Sequence, residues 1–262
     1  MSGLLEGKSC IIYGAGGGIG SAVARAFARE GAAVFLAGRT GSTLQTVAGA
    51  IAAEGGRAEV ALVDALNEEA VERRVAHVAD SAGRVDVSFN LIDRGDVQGQ
   101  PLVEMAVEDM LRAVTTGLQA NFVTARAAAR RMIAQGGGVI LHLNSASGDG
   151  AHPGMGSTGP ADAATESFMR YLAAETGQHG VRVCGIWTAG VEETLNREKL
   201  SGVGGDATPD PATVIQMISG MSALRRCPNL DNVCRVAIFL ASDGAAGITG
   251  SMTNVTAGLV LR

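Results

Sequence analysis

The chain has 262 residues, of which 47% are hydrophobic and only 3% aromatic, a size and composition that suit one large α/β domain with strands buried on both faces. Its formal net charge of −5, without a concentrated run of Lys and Arg, argues against binding to nucleic acid. The N-terminal residues lack a secretory signal, and no apolar run reaches the roughly 18 residues of a membrane span, so we expect a cytoplasmic protein with no membrane partner.

Strand-length apolar runs alternate with Ala-rich amphipathic stretches along the chain. The predicted strands are Ser9–Gly14, Ala33–Gly38, Ala58–Val63, Val85–Asn90, Val139–Asn144, Val181–Trp187 and Met252–Thr256. The predicted helices are Ile19–Glu30, Thr43–Glu54, Glu68–Ala79, Met105–Gln135 and Ala161–Gln178. Since no linker interrupts them, residues 1–262 are predicted to form a single domain, a doubly wound parallel sheet of about seven strands with helices on both faces.

The segment 192–211 is rich in Gly and Pro, and we expect regular structure to fail there. It follows the predicted strand that ends at Trp187, and ligands of open α/β sheets bind beyond the carboxyl ends of the strands. A lid over the ligand crevice and a disordered surface loop both remain open. The four cysteines show no CxxC spacing, which predicts reduced packing residues and no metal site.

A glycine-rich turn, GAGGGIG, joins the first predicted strand to a helix at residues 14–20. Glycines let the backbone turn tightly and approach a pyrophosphate, whose charge is met by the positive end of the helix. The residues predicted to form this phosphate cradle are Gly14, Gly16, Gly18, Ile19 and Gly20.

The end of the second predicted strand indicates which dinucleotide binds. NAD-specific proteins place an acid there for the ribose 2′-hydroxyl, whereas this chain has Arg39, which would attract a 2′-phosphate. NADP(H) is therefore predicted over NAD(H), against the alternative that Arg39 is only a solvated strand-end residue. Asp64 and Ala65 end the third strand and Asn90 the fourth, so we expect all three at the crevice edge, where the adenine and the second ribose would lie.

With these motifs the chain resembles the short-chain dehydrogenase/reductase family from end to end. The glycine run matches the family's T-G-x-x-x-G-x-G at Gly14, Gly18 and Gly20, and Asp64 matches its adenine-contacting Asp. Leu240–Asp243 and Ile248–Gly250 match its C-terminal F-L-A-S-D and I-T-G segments. The resemblance implies a Rossmann-type fold, a small-molecule substrate, an NAD(P) cofactor, and a homodimer or homotetramer formed through two long helices.

The family's Ser-Tyr-Lys trio and its assisting Asn are only partly matched. Ser145 is kept, but the Tyr position falls at Thr158, the Lys position at Asp162 and the Asn position at Gly117. Threonine is far harder to deprotonate than a phenol near pKa 10, and a neighbouring carboxylate opposes deprotonation further, so the usual proton transfer should fail. The only tyrosines, Tyr13 and Tyr171, are expected to be structural.

Two other residues carry open interpretations. His152, in the loop Gly148–Gly156, could replace the missing acid because histidine titrates near neutrality, or it could be a solvated loop residue. Asp162 could accept a hydrogen bond from a ribose hydroxyl or cap the helix that follows.

Three functions remain open on the sequence alone. The first is an NADP(H)-dependent oxidoreductase acting on a carbonyl/alcohol pair with a replaced proton donor. The second is a non-redox cyclase, dehydratase or isomerase. The third is a non-catalytic cofactor-binding subunit, which could pair with an active relative in a hetero-oligomer. Function depends on the site rather than on the fold.

Overall fold

Seven parallel strands form one sheet in the computed structural model, which describes residues 3–205 and 208–261. The strands are β1 Ser9–Tyr13, β2 Ala33–Gly38, β3 Arg57–Leu62, β4 Val87–Asn90, β5 Gly138–Ser145, β6 Val181–Thr188 and β7 Met252–Val255. Their order is β3-β2-β1-β4-β5-β6-β7, so the direction of winding reverses between β1 and β4. The doubly wound parallel sheet predicted from the sequence is confirmed, and the reversal is where such sheets bind their ligands.

Helices cover both faces of this sheet. They are α1 Gly18–Arg29, α2 Gly41–Ala53, α3 Glu68–Ala82, α4 Val107–Gln135, α5 Thr158–Thr176, α6 Arg197–Gly204, α7 Pro211–Met221 and α8 Leu230–Ala241. One apolar layer packs α1, α2 and α8 onto the sheet, and the other packs α3, α4 and α5. Successive residues of a strand point into opposite layers: Ile12 lies in the first layer, and Ile11 and Tyr13 lie in the second.

The expectation that regular structure fails in the segment 192–211 is wrong for most of it. Helix α6 forms because the side chain of Asn196 caps it, accepting a hydrogen bond from Lys199 N at 2.9 Å. Gly202 and Gly204 fall in its last turns, where their low helix propensity costs least, and Gly205, with φ +70°, follows its end. The residues at 206 and 207 lie outside the described part of the chain.

The four cysteines are buried and free, as packing residues would be. In the part of the chain that the structure describes, no helix is both long and apolar enough to span a bilayer. The same residues contain no cluster of three or more His, Cys, Asp or Glu side chains arranged to hold a metal ion.

Candidate active site

The glycine-rich turn between β1 and α1 has the shape that a pyrophosphate needs. Gly14 has φ +74°, and a Cβ there would lie 2.5 Å from the carbonyl oxygen of Leu91. A Cβ on Gly20 would lie 2.2 Å from the carbonyl oxygen of Gly14, so only glycine fits at either position. Helix α1 has no side-chain cap and no acidic residue in its first turn. Its free N–H groups and positive end therefore remain available to an anion.

The other predicted cradle residues surround the same turn. Gly18 begins α1 and is exposed, and Ile19 is half-buried against the apolar layer of α1, α2 and α8. A Cβ on Gly16 would lie 2.3 Å from Oγ1 of Thr43, so this glycine allows α2 to approach the turn. The structure thus brings the predicted cradle residues together, and they fit a dinucleotide phosphate.

The adenine end of the crevice carries two exposed charged side chains. Arg39 is exposed directly after β2, and Asp64 is exposed after β3, where its Oδ1 accepts a hydrogen bond from Leu66 N at 3.0 Å. Ala65 is buried. Asn90 is buried as well, and its Nδ2 donates to Oγ1 of Thr124 on α4 at 3.2 Å. The side chain of Asn90 therefore ties β4 to α4, while Arg39 and Asp64 are free to reach a ligand.

The segment after β6 packs across the crevice from the loop that follows β4. The 3₁₀ turn Glu192–Thr194 reaches the cradle, since a Cβ on Gly18 would lie 3.1 Å from Cγ2 of Thr194. On α6, Nζ of Lys199 lies 2.6 Å from Oδ2 of Asp93. This placement agrees with a lid and not with a disordered loop.

Ser145 and Asp162 meet at the carboxyl end of β5. Ser145 Oγ donates to Asp162 Oδ2 at 2.5 Å, and the Asp162 side chain is fully buried. Helix α5 begins at Thr158, so Asp162 lies a full turn inside it and the capping role considered above is wrong. The reason is that the helix starts before Pro160 rather than after it, which places proline in the first turn, where it is tolerated.

Arg94, which the sequence analysis missed, completes this cluster. Its Nη2 donates to Asp162 Oδ1 at 2.5 Å and its Nε to Asp96 Oδ1 at 2.9 Å. A Cβ on Gly117 would lie 2.9 Å from Cδ of Arg94, so the glycine at the position matched to the family's Asn leaves room for the arginine. The acid at the position matched to the family's Lys was the one sign of such a partner in the sequence. A carboxylate buried at that position requires a cation elsewhere in the fold.

The charges in this cluster shift each other's ionisation. Burial raises the pKa of Asp162 to about 6, although the Arg94 guanidinium and the Ser145 hydroxyl act in the opposite direction. Burial lowers the pKa of Arg94, but Asp162 and Asp96 outweigh it, so the pKa of the guanidinium ends above its ordinary value. Asp162 is thus a carboxyl that titrates close to neutrality while Arg94 stays charged.

The side chains of the remaining candidate residues lie outside the cluster, although the backbone oxygen of Thr158 accepts a hydrogen bond from Arg94 Nη2 at 3.5 Å. Thr158 is buried, and its Oγ1 accepts a hydrogen bond from Nε2 of Gln98 at 2.8 Å. His152 is exposed, and within the described residues no hydrogen bond joins it to the cluster. Tyr13 is buried in the layer of α3, α4 and α5, and Tyr171 on α5 is 71% exposed. The geometry therefore favours Asp162 over His152 as the ionisable group of the site.

A second buried carboxyl, Glu166, lies one turn further along α5 and was also missed. Its Oε1 accepts from Nε1 of Trp187 at 2.8 Å and from Nδ2 of Asn144 at 3.3 Å. Burial raises its pKa, although both donors lower it. Nδ2 of Asn144 also donates to the backbone oxygen of Asp162 at 3.2 Å, which holds α5 against β5 beside the cluster.

Comparison with known proteins agrees with this architecture. Residues 14–260 match the family profile described as Enoyl-(Acyl carrier protein) reductase. The chain is 32% identical over 266 residues to the L-rhamnose 1-dehydrogenase (NAD(P)(+)) of Azotobacter vinelandii, covering 99% of each chain. The chain belongs to the short-chain dehydrogenase/reductase family.

Two solved structures of this oxidoreductase family show the same fold. The carveol dehydrogenase of Mycobacterium avium, in complex with NAD, has a TM-score of 0.89 at 25% identity, with 99% of this chain and 100% of that chain covered. A short-chain type dehydrogenase/reductase from Mycobacterium ulcerans has a TM-score of 0.86 at 25% identity, with 98% and 91% covered. Short-chain dehydrogenases/reductases thus match this chain over nearly its whole length, including both ends of the crevice.

Proposed function

We propose that this chain binds NADP(H) and transfers a hydride between it and a small molecule, with Ser145 and Asp162 in place of the Tyr–Lys pair of its family. The observation that carries the proposal is the 2.5 Å contact between Ser145 Oγ and Asp162 Oδ2, made by a carboxyl whose pKa burial raises to about 6. NADPH, when bound, supplies the hydride. Residues of the protein bind the cofactor and the substrate and deliver the proton.

The cofactor would be held along the crevice described above. The glycine-rich turn and the first turn of α1 would receive the pyrophosphate, and the exposed Arg39 would pair with a 2′-phosphate. Asp64, exposed after β3, would face the adenine. Within the described residues no carboxylate pairs with Arg39, so a 2′-phosphate would supply its counter-charge, and this supports NADP(H) over NAD(H) as the cofactor.

Ser145 can pass a proton only while Asp162 has one to give. Below a pH of about 6, protonated Asp162 can replace the proton that the Ser145 hydroxyl donates to a carbonyl oxygen. Above it, the ionised carboxylate only accepts a hydrogen bond from the Ser145 hydroxyl, and Asp162 has no proton to deliver. Reduction of a carbonyl should therefore rise as the pH falls through about 6.

The test is the pH dependence of carbonyl reduction by the NADPH-saturated protein. We expect an acid-favoured profile in the parent and a flat, slow one in Asp162→Asn, since a positioned acid contributes a factor of about 10² to 10⁴. The control is Asp243→Asn. Asp243 is an exposed carboxyl paired with Lys8, which lies beside the amino end of β1, and its change should leave the profile intact. An unchanged profile in Asp162→Asn would contradict the proposed role.

A non-catalytic, cofactor-binding role is the second candidate, and a specific observation favours it. Both residues at the altered positions are satisfied within the chain, Asp162 by Arg94 and Thr158 by Gln98. Such a closed network needs no substrate to complete it. NADPH binding without hydride transfer to any carbonyl or C=N compound would establish this role and exclude the first.

A further inference from the structure

The cluster at the end of β5 carries an excess of negative charge. One guanidinium, Arg94, faces two carboxylates, Asp96 and Asp162, so a single negative charge is left when all three groups are ionised. Around Asp162, β5 presents Ser145 and the 3₁₀ turn that follows it presents Gly148, neither of which carries charge. On its own helix the next acid is Glu166, which is also buried. The described residues around Asp162 therefore hold no second cation in direct contact.

This negative charge lies where water cannot compensate for it. The Asp162 side chain is fully buried, and those of Arg94 and Asp96 are 12% and 20% exposed. A desolvated carboxylate that shares its only cation with another acid is destabilised, as the raised pKa of Asp162 shows. A cationic ligand beside Asp162 would offset this cost, whereas a ligand that develops negative charge would increase it.

The reduction of a carbonyl develops such negative charge. Hydride addition to C=O puts an anion on oxygen, which needs a proton donor nearby, and above the pKa of Asp162 the Ser145–Asp162 pair has no proton to deliver. Hydride addition to an iminium ion removes a positive charge instead, and it requires no proton. The two features that oppose ketone reduction, the absent phenol and the excess carboxylate, do not oppose iminium reduction.

We propose that the preferred substrate is a cationic C=N compound, an iminium ion, held beside Asp162 and Ser145. This rests on the function proposed above and names its substrate class. The iminium carbon gains the hydride of NADPH as a new C–H bond, the π-electron pair of C=N becomes the nitrogen lone pair, and NADPH becomes NADP⁺. No proton enters or leaves. Since the substrate loses its charge in the reaction, Asp162 should act mainly on KM rather than on kcat.

The test compares a permanent cation with a neutral compound of similar size. With NADPH saturating at neutral to weakly alkaline pH, N-methylpyrrolinium should be reduced with a kcat/KM at least about 10-fold above that of cyclopentanone. Asp162→Asn should raise KM for N-methylpyrrolinium about 10-fold or more with a smaller change in kcat. Asp243→Asn, which removes an exposed carboxylate far from the cluster, should change neither by more than about 2-fold.

A binding measurement keeps the proposal testable if Asp162→Asn does not fold. In the parent protein with NADP⁺, N-methylpyrrolidine, a cation at these pH values, should bind more weakly as the pH falls through about 6, because protonated Asp162 no longer attracts it. Cyclopentanol should bind equally across the same range. Equal pH dependence for both compounds would overturn the proposal.

The outcomes separate this proposal from the function on which it rests. NADPH bound with cyclopentanone reduced as well as N-methylpyrrolinium would overturn the iminium assignment and leave the oxidoreductase standing. NADPH bound with no hydride transferred to either compound would overturn both.

Discussion

Replacing Asp162 by Asn should change how the stability of the protein depends on pH. The carboxyl has an ordinary pKa of 3.8, and burial raises it to about 6 in the folded protein. A group whose pKa is higher in the folded than in the unfolded state stabilises the fold while protonated, below its unfolded pKa. That stabilisation is lost as the pH rises through the folded pKa. For Asp162 the loss is about 3 kcal/mol of unfolding free energy between about pH 4 and pH 7.

The assay is urea unfolding of the parent and of Asp162→Asn across this pH range. The amide keeps the size of the carboxyl and can accept the hydrogen bond from Ser145 but does not ionise. The difference between the two unfolding free energies should therefore shift in favour of the variant by about 3 kcal/mol as the pH rises. Asp243→Asn should show no such shift, because the hydrogen bond and the charge of Lys8 outweigh the effect of burial and leave the pKa of Asp243 below its ordinary value. A difference that stays constant, or that shifts in favour of the parent, would show instead that Arg94 holds the pKa of Asp162 at or below its ordinary value.

Three further predictions concern the cofactor, the missing relay and assembly. Arg39→Asp should weaken NADPH binding by about 10- to 150-fold and NADH binding little, as measured by fluorescence titration, and an equal loss for both would show that Arg39 does not contact the phosphate. Thr158→Tyr with Asp162→Lys should restore ketone reduction, measured by NADPH oxidation, only when Arg94→Ala is added, because the new ammonium group otherwise faces the Arg94 guanidinium. Ketone reduction by the double variant without Arg94→Ala would show that Arg94 does not lie against residue 162. Light scattering should show that the parent protein is a dimer or tetramer. Phe122 lies on the exposed face of α4, and Phe122→Glu should convert the oligomer to a monomer. A monomeric parent would exclude an oligomer formed through α4.

The centre of the sheet could be predicted from the sequence because strands such as β1 and β4 are buried on both faces and appear as continuous apolar runs. The prediction Val181–Trp187 differs from β6 by one residue at its end, and Ala33–Gly38 matches β2. Helices α6 and α7 could not be predicted in this way. Helix α7 has no buried residue, so its sequence lacks the contrast between apolar and polar faces on which such predictions depend.

Only the part of the site that is contiguous in sequence could be predicted. The cradle is contiguous in sequence, and its glycines follow from the geometry of one turn. Arg94 and Asp162 are 68 residues apart, and nothing local to either shows that they form a pair. Gly117 marks a space that only the folded chain reveals, because the side chain that fills it comes from another element.

The most direct test of the account is a single turnover with NADPH deuterated at the hydride-donating carbon of the nicotinamide. N-methylpyrrolinium is the acceptor, deuterium at either face of that carbon is tried in turn, and the amine product is analysed by mass spectrometry. We expect one deuterium at the former iminium carbon with the parent protein, and much less with Asp162→Asn at the same acceptor concentration. Bound NADPH with no deuterium transferred to this acceptor or to cyclopentanone would contradict a hydride-transferring site.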